Sequence, residues 1–311
     1  MKRGLWLLVL ALPLAVHGWA DLKIGLMPAC NSIPLVVAEK SGQFVAEGVR
    51  VELVPFSSQL NRETALQTGS IDGTVSDMIN AIQSWSRGVG ARVTSVTEGN
   101  FSLLTSPQSS LRTVADWAAG KGPRVPTGLL ENSIVFYETE RMLQAGGGDT
   151  GRVELVPILQ LPARLEMLLA GKIEAACLPE PLATLAAARG AHRIADTDSM
   201  GTTPGVLIFS KTALAGKQRE IAAFYRAYDK AVIETGAHPE AYRAAIVAGC
   251  EFPPAVSGIL KIPRFRPSFT PSATQVQDVA LWMKEKGLVD RVPAYDDVVQ
   301  RGYASSDAGA Q

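Results

Sequence analysis

The side chains of this chain best placed to do chemistry sit where a short apolar run gives way to a helical one. In the first half these are Pro28, Ala29, Cys30, Asn31 and Ser32, then Ser57 and Ser58, then Ser76 and Asp77. Further on they are Thr127, Asn132, Ser133, Gln160 and Glu180. In open α/β sheets, ligands sit beyond the carboxyl ends of the strands, where helix N-termini present free N–H groups. Ser, Thr and Asn add neutral donors there, suited to a polar or anionic solute. The same residues are good helix caps, and capping alone accounts for Ser32, Ser58, Ser76 and Asn132 or Ser133. Asp77 reads first as a favourable charge on a helix dipole.

Glu180 stands apart. It follows the apolar run 173–178 and precedes Pro181, a residue suited to the first turn of a helix. Glu caps helices less well than Ser or Asp, so a ligand contact competes evenly with a helix-end charge worth ~0.3–1 kcal/mol. As a cleft carboxylate it would demand a donor group on the solute, which predicts an amine, amidine or ring N–H and not a bare anion.

Little in the sequence fits catalysis. Past the first twenty residues the histidines are His192 and His238, in separate segments, so a zinc site or a His-dependent triad has no basis. Cys30, Cys177 and Cys250 are far apart, which excludes metal-type spacing but leaves open one disulfide or three buried thiols. Cys30 reads as a small filler with no motif to activate it. No P-loop and no Gly-x-Ser-x-Gly nucleophile elbow occurs. No catalytic residue, metal or cofactor is expected. Arg62 and Arg164 can pair with a carboxylate or sulfonate, but arginines on helices usually lie in solvent. Phe101, Phe136 and Tyr137 read as core before cleft wall.

The elements that must position these residues alternate. Of 311 residues, 47% are hydrophobic and 19% charged, with 30 basic and 30 acidic side chains. That balance gives no electrostatic basis for nucleic-acid binding, and the hydrophobic content excludes a disordered chain. Lys2 and Arg3, the apolar run 5–16 and Gly18-Trp19-Ala20 read as an export signal cleaved after Ala20. The run is short for a membrane anchor. Thereafter strands are expected at 22–26, 49–55, 71–75, 92–97, 101–104, 124–126, 153–158, 173–178, 193–195 and 205–209. Helices fall between them, and the chain from 219 onward is mostly helical. Residues 67–73 and 169–175 share one pattern, a helix end, a Gly stop, a short strand and a small residue, as two lobes on related plans would produce.

The segments 23–29, 38–44, 47–55, 65–73, 170–176, 178–183, 204–210 and 225–231, taken in order, resemble the NMT1/THI5-like and sulfonate/taurine/nitrate-type solute-binding proteins of ABC importers. The resemblance implies an α/β, type II periplasmic-binding-protein fold with two lobes joined by two crossover strands around a ligand cleft. Lobe 1 would be discontinuous, 21–105 and 205–311, after the signal at 1–20, and lobe 2 would span 106–204. Gly99 and Gly201 would fall near the crossings. The implied protein is a periplasmic monomer. It carries a small polar or anionic organic solute to a permease in the inner membrane. Alternatives are an enzyme on the same fold, pyrimidine-synthase-like or chorismate-dehydratase-like, and a periplasmic ligand sensor.

Overall fold

The structure is a computed structural model and describes residues 21–120, 122–200 and 205–307. The expected export signal and Gly201 lie outside these residues. The strands are β1 Leu22–Leu26, β2 Val51–Pro55, β3 Gly73–Asp77, β4 Arg92–Val96 and β5 Phe101–Thr105. They continue with β6 Val125–Leu129, β7 Val153–Pro157, β8 Ala175–Pro179, β9 His192–Asp196 and β10 Gly205–Phe209. The helices of the first part are α1 Ile33–Lys40, α2 Gln43–Ala46, α3 Gln59–Gln67, α4 Met78–Ser86 and α5 Val114–Ala119. Next come α6 Ile134–Ala145, α7 Leu161–Leu169, α8 Leu182–Ala188 and α9 Thr197–Met200. The C-terminal set is α10 Lys211–Gly216, α11 Gln218–Ala237, α12 Pro239–Gly249, α13 Ala273–Glu285 and α14 Tyr295–Val298.

These strands form two five-stranded sheets, in the orders β2-β1-β3-β10-β4 and β7-β6-β8-β5-β9. The sheets define two α/β lobes. Within each, a parallel trio is followed by one strand that runs antiparallel, β10 in the first sheet and β5 in the second. Each antiparallel strand arrives from the other lobe, so the chain crosses twice, once between β4 and β5 and once between β9 and β10. The first crossing therefore falls between Val96 and Phe101, and the boundary expected at 105 is five residues late at the least. Residues 101–105, expected in lobe 1, form β5. Hydrogen bonding places them in the second sheet.

The two lobes repeat one plan. The pentapeptide Val-Glu-Leu-Val-Pro occurs twice, 102 residues apart, as the edge strands β2 and β7. Helices α3 and α7 follow at that same spacing. Glycine is required beside each edge strand. A Cβ on Gly25 would meet Ile71 Cδ1 at 2.8 Å, and one on Gly128 would meet Ile173 Cδ1 at 2.6 Å. Both contacts are too close for a real side chain, so the inner strand keeps its bare backbone where the Gly-stopped turn folds back over it.

Strands β3 and β8 both begin two residues later than the hydrophobic pattern predicts. In both halves the turn after the helix, residues 70–72 and 172–174, holds at its centre an isoleucine that is buried but does not pair within the sheet. An apolar residue buried by a turn looks the same in sequence as the first residue of a strand.

Candidate functional site

The carboxyl ends of β1, β3, β6 and β8 face one another across the line where the lobes meet. There they enclose a cavity of about 80 Å³. Its lobe 1 wall carries Met27, Ala29, Asn31, Gln59, Arg62, Ser76, Asp77 and Gly205. Its lobe 2 wall carries Phe101, Leu130, Ile134, Val135, Leu159, Leu161, Arg164 and Pro179. The lobes are in direct contact around it. Cys30 N–H donates to Glu180 O at 3.0 Å, and Gln83 Nε2 donates to Asn132 O at 3.3 Å. On the far side Trp282 Nε1 and Lys286 Nζ both donate to Glu140, at 2.7 and 2.6 Å.

Of the residues expected to hold a ligand, Ala29, Asn31, Ser76 and Asp77 lie on this wall. Pro28, Cys30, Ser32, Ser57, Ser58, Thr127, Asn132, Ser133, Gln160 and Glu180 do not. Their loops converge on the cavity all the same, usually through a residue one or two positions away. Gln59 takes the place of Ser57 and Ser58, Leu130 and Ile134 that of Asn132 and Ser133, and Leu159 and Leu161 that of Gln160. The polar residues are held elsewhere. Ser58 caps α3, accepting from Asn61 N at 3.3 Å. Ser32 and Ser133 do not cap and donate instead to Met27 O and Leu130 O. Thr127 is buried inside β6 and donates to Val125 O at 2.8 Å. Ser76, expected as a cap, is the fourth residue of β3, and Asp77 is the cap of α4, accepting from Asn80 N at 3.0 Å.

Glu180 resolves in favour of the helix end. Its Oε2 accepts from Thr184 N at 2.9 Å, and its Oε1 accepts from Arg193 at 2.7 Å. With both oxygens engaged by its own lobe, the demand for a donor on the solute that rested on this carboxylate falls away.

The cations on the cavity wall are the two arginines expected in solvent. Both are buried, Arg62 at 5% exposure and Arg164 at 1%. They occupy equivalent places on α3 and α7, 102 residues apart. Their surroundings differ. Arg62 is paired with Glu63 Oε1 at 2.6 Å and also donates to Ser76 Oγ at 3.0 Å. Arg164 donates to two main-chain carbonyls, Cys177 O at 3.2 Å and Ile158 O at 2.8 Å. Among the described residues it has no carboxylate in ion-pair reach, and its buried Nε–H has no acceptor. Burial without a counter-charge lowers its pKa to about 10, so it remains a cation at neutral pH.

Asp77 completes the polar wall. Asn80 donates to it twice, through N–H and through Nδ2 at 2.7 Å, and Gln59 Nε2 donates to Asn80 Oδ1 at 3.0 Å. Desolvation raises its pKa to about 6, against the pull of Arg62. Asn31 Oδ1 is buried with no partner among the described residues. Arginines at 62 and 164 give no sequence signal of burial by themselves. The signal that could have found them is the repeated Val-Glu-Leu-Val-Pro, which places both at one step of a duplicated plan, facing the space between the copies.

Two α/β lobes, crossed twice by the chain and closed over a polar cavity at their strand ends, define the periplasmic-binding-protein fold. Structural relatives bear this out. The alkanesulfonate-binding protein SsuA of Xanthomonas axonopodis pv. citri, bound to MOPS, is 19% identical, with a TM-score of 0.75 over 92% of this chain and 100% of that one. The desulfurization enzyme DszB is 16% identical, with a TM-score of 0.67 over 91% of this chain and 96% of that one. In sequence, a Brachyspira hyodysenteriae protein provisionally named an ABC transporter periplasmic binding protein is 26% identical over 234 residues. That match covers 70% of this chain and 66% of the relative, just under two thirds of its length. The NMT1/THI5 like family profile matches residues 29–242, and the chain belongs to that family.

Proposed function

We propose that the protein is the solute-binding component of an ABC importer, that it works in the periplasm, and that its ligand is a small organic anion with an apolar body. The observation that carries this reading is Arg164, a buried guanidinium on the cavity wall with no protein carboxylate to neutralise it. A buried unpaired charge is strongly unfavourable, and an anionic ligand is the group that would offset it. The rest of the lobe 2 wall, Phe101, Leu130, Ile134, Val135, Leu159 and Leu161, offers apolar surface to the remainder of the solute. The related SsuA protein, which binds alkanesulfonates, and the provisional name of the Brachyspira relative support the same class.

DszB shows that this fold also carries an enzyme, so turnover is the competing reading. Cys30, after β1, is the thiol that stands between two cavity-lining residues. It is 1% exposed inside the core, and burial raises its pKa well above 9. Its neighbours Ala29 and Asn31 line the cavity in its stead. A buried neutral thiol is inert, which favours binding without chemistry.

A thermal-shift panel of small sulfonates and carboxylates, run beside their uncharged alcohol or amide counterparts, tests this reading. Only the anions are expected to raise Tm, and each should be recovered unchanged after incubation. Equal stabilisation by the uncharged analogues, or consumption of the solute, would contradict it.

A further inference from the structure

A second, larger cavity of about 870 Å³ opens between the lobes on the other side of Ile134, which contributes to both. Its walls come from α6 of lobe 2 and from α4 and α13 of lobe 1, with the hinge strands behind. Its volume falls within the range of ~300–1,000 Å³ usual for small-molecule sites. Met78, Val96, Met142, Val206 and Val279 make most of its surface apolar.

Its charges are unbalanced. Asp196 and Asp278 line it against one cation, Arg141, whose guanidinium lies over the Tyr137 ring at 5.2 Å, and a third acid, Glu138, stands beside them. Glu138 is the unusual member. It is 1% exposed, and its Oε2 is buried with no hydrogen-bond partner among the described residues. It forms no ion pair there either, although Glu140, two residues on along the same helix, is paired with Lys286. A carboxyl buried without a partner lowers stability and contributes nothing to packing that a leucine would not.

We propose that this chamber is a second ligand site, distinct from the Arg164 cavity, which takes a small amphiphilic amine with its ammonium group on Glu138 and its apolar body against the α4 and α13 walls. Asp196 and Asp278 outnumber Arg141 and favour a cation, and Glu138 supplies the acceptor that orients it; burial keeps the free carboxyl protonated at neutral pH, so binding the ammonium releases that proton to solvent.

Hexan-1-amine, titrated into the protein at neutral pH and compared with hexan-1-ol, is a direct probe. The amine should bind and the alcohol should bind at least about tenfold more weakly, as expected for loss of one charge-assisted hydrogen bond. Glu138→Gln should weaken the amine by a similar factor without lowering Tm, whereas a purely structural carboxyl would lower it. Should that variant fold poorly, Asp278→Lys, an exposed change on the same wall, should weaken the amine several-fold. Arg164→Met should leave amine affinity as it was. Undiminished amine binding in both wall variants would overturn the proposal. So would a loss in Arg164→Met equal to that in Glu138→Gln, since the two cavities would then be one site.

Discussion

The two lobes are copies of one plan that differ where it matters for binding. Each has an edge strand Val-Glu-Leu-Val-Pro, a bare glycine on the next strand, and an arginine on the helix that follows. In lobe 1 the residue after the arginine is Glu63, and the pair is neutral within its own wall. In lobe 2 the corresponding residue is Leu165, buried at 3%, so Arg164 keeps its charge. The lobe 1 arginine is thereby paired within its own wall, and the lobe 2 arginine has no carboxylate in ion-pair reach among the described residues. The Glu63-to-Leu165 difference is the one that leaves Arg164 without the carboxylate that Arg62 has.

The largest test of this contrast uses the buried acids, one from each lobe. Desolvation raises Asp77 from 3.8 to about 6 and Glu138 from 4.5 to about 8. A raised carboxyl favours the folded state when protonated. Its contribution is full below the unfolded pKa and is lost as pH rises through the folded one. Stability should therefore decline between about pH 4 and 8, by an amount of order a few kcal/mol. Asp77→Asn should remove that residue's share of the decline, between about pH 4 and 6, and Glu138→Gln the share that runs from about pH 4.5 to 8. Denaturant melts across that range read both, and an unchanged slope in either variant would contradict the corresponding burial.

The paired glycines come next. Gly25→Ala and Gly128→Ala should each destabilise by about 1–3 kcal/mol, because the new methyl overpacks against an isoleucine in either lobe. They should differ in binding. At Gly128 the methyl would also lie 3.1 Å from Arg164 Cγ, so only Gly128→Ala should change anion affinity. A smaller effect is expected from Glu63→Gln, which removes the counter-charge of Arg62 and makes lobe 1 resemble lobe 2. Anion affinity should rise a few-fold while stability falls by about 1 kcal/mol, as for loss of a partly buried ion pair. The smallest change is Glu180→Gln, which should leave affinity within about twofold, since both its oxygens serve α8 and Arg193.

Much of the fold is legible in the sequence because it rests on periodicity. The strand at 22–26, the helix ending at Ala145 before three glycines, and the strand at 205–209 all follow from apolar runs and glycine stops. The site is legible by loop and not by residue. Which side chain of a strand-to-helix turn faces a cleft depends on the exact end of the strand. A two-residue error in β3 was enough to put Ser76 in a cap position that Asp77 occupies. Arg164 was hidden for a different reason. Its burial is decided by other elements of its own lobe, the carbonyls of Ile158 and Cys177 that hold the guanidinium and the bare Gly128 under its stem, and these leave no trace in the helix sequence itself.

The claim that a small organic anion is held by the unneutralised guanidinium of lobe 2 is tested most directly by calorimetry. An anion that stabilises the wild type would be titrated into wild-type protein, Arg164→Lys and Arg164→Met. The account predicts partial affinity for the lysine variant, which keeps the charge without the planar fork. It predicts a loss of roughly a hundredfold, about 3 kcal/mol, for the methionine variant. Affinity in Arg164→Met within about twofold of wild type would contradict it.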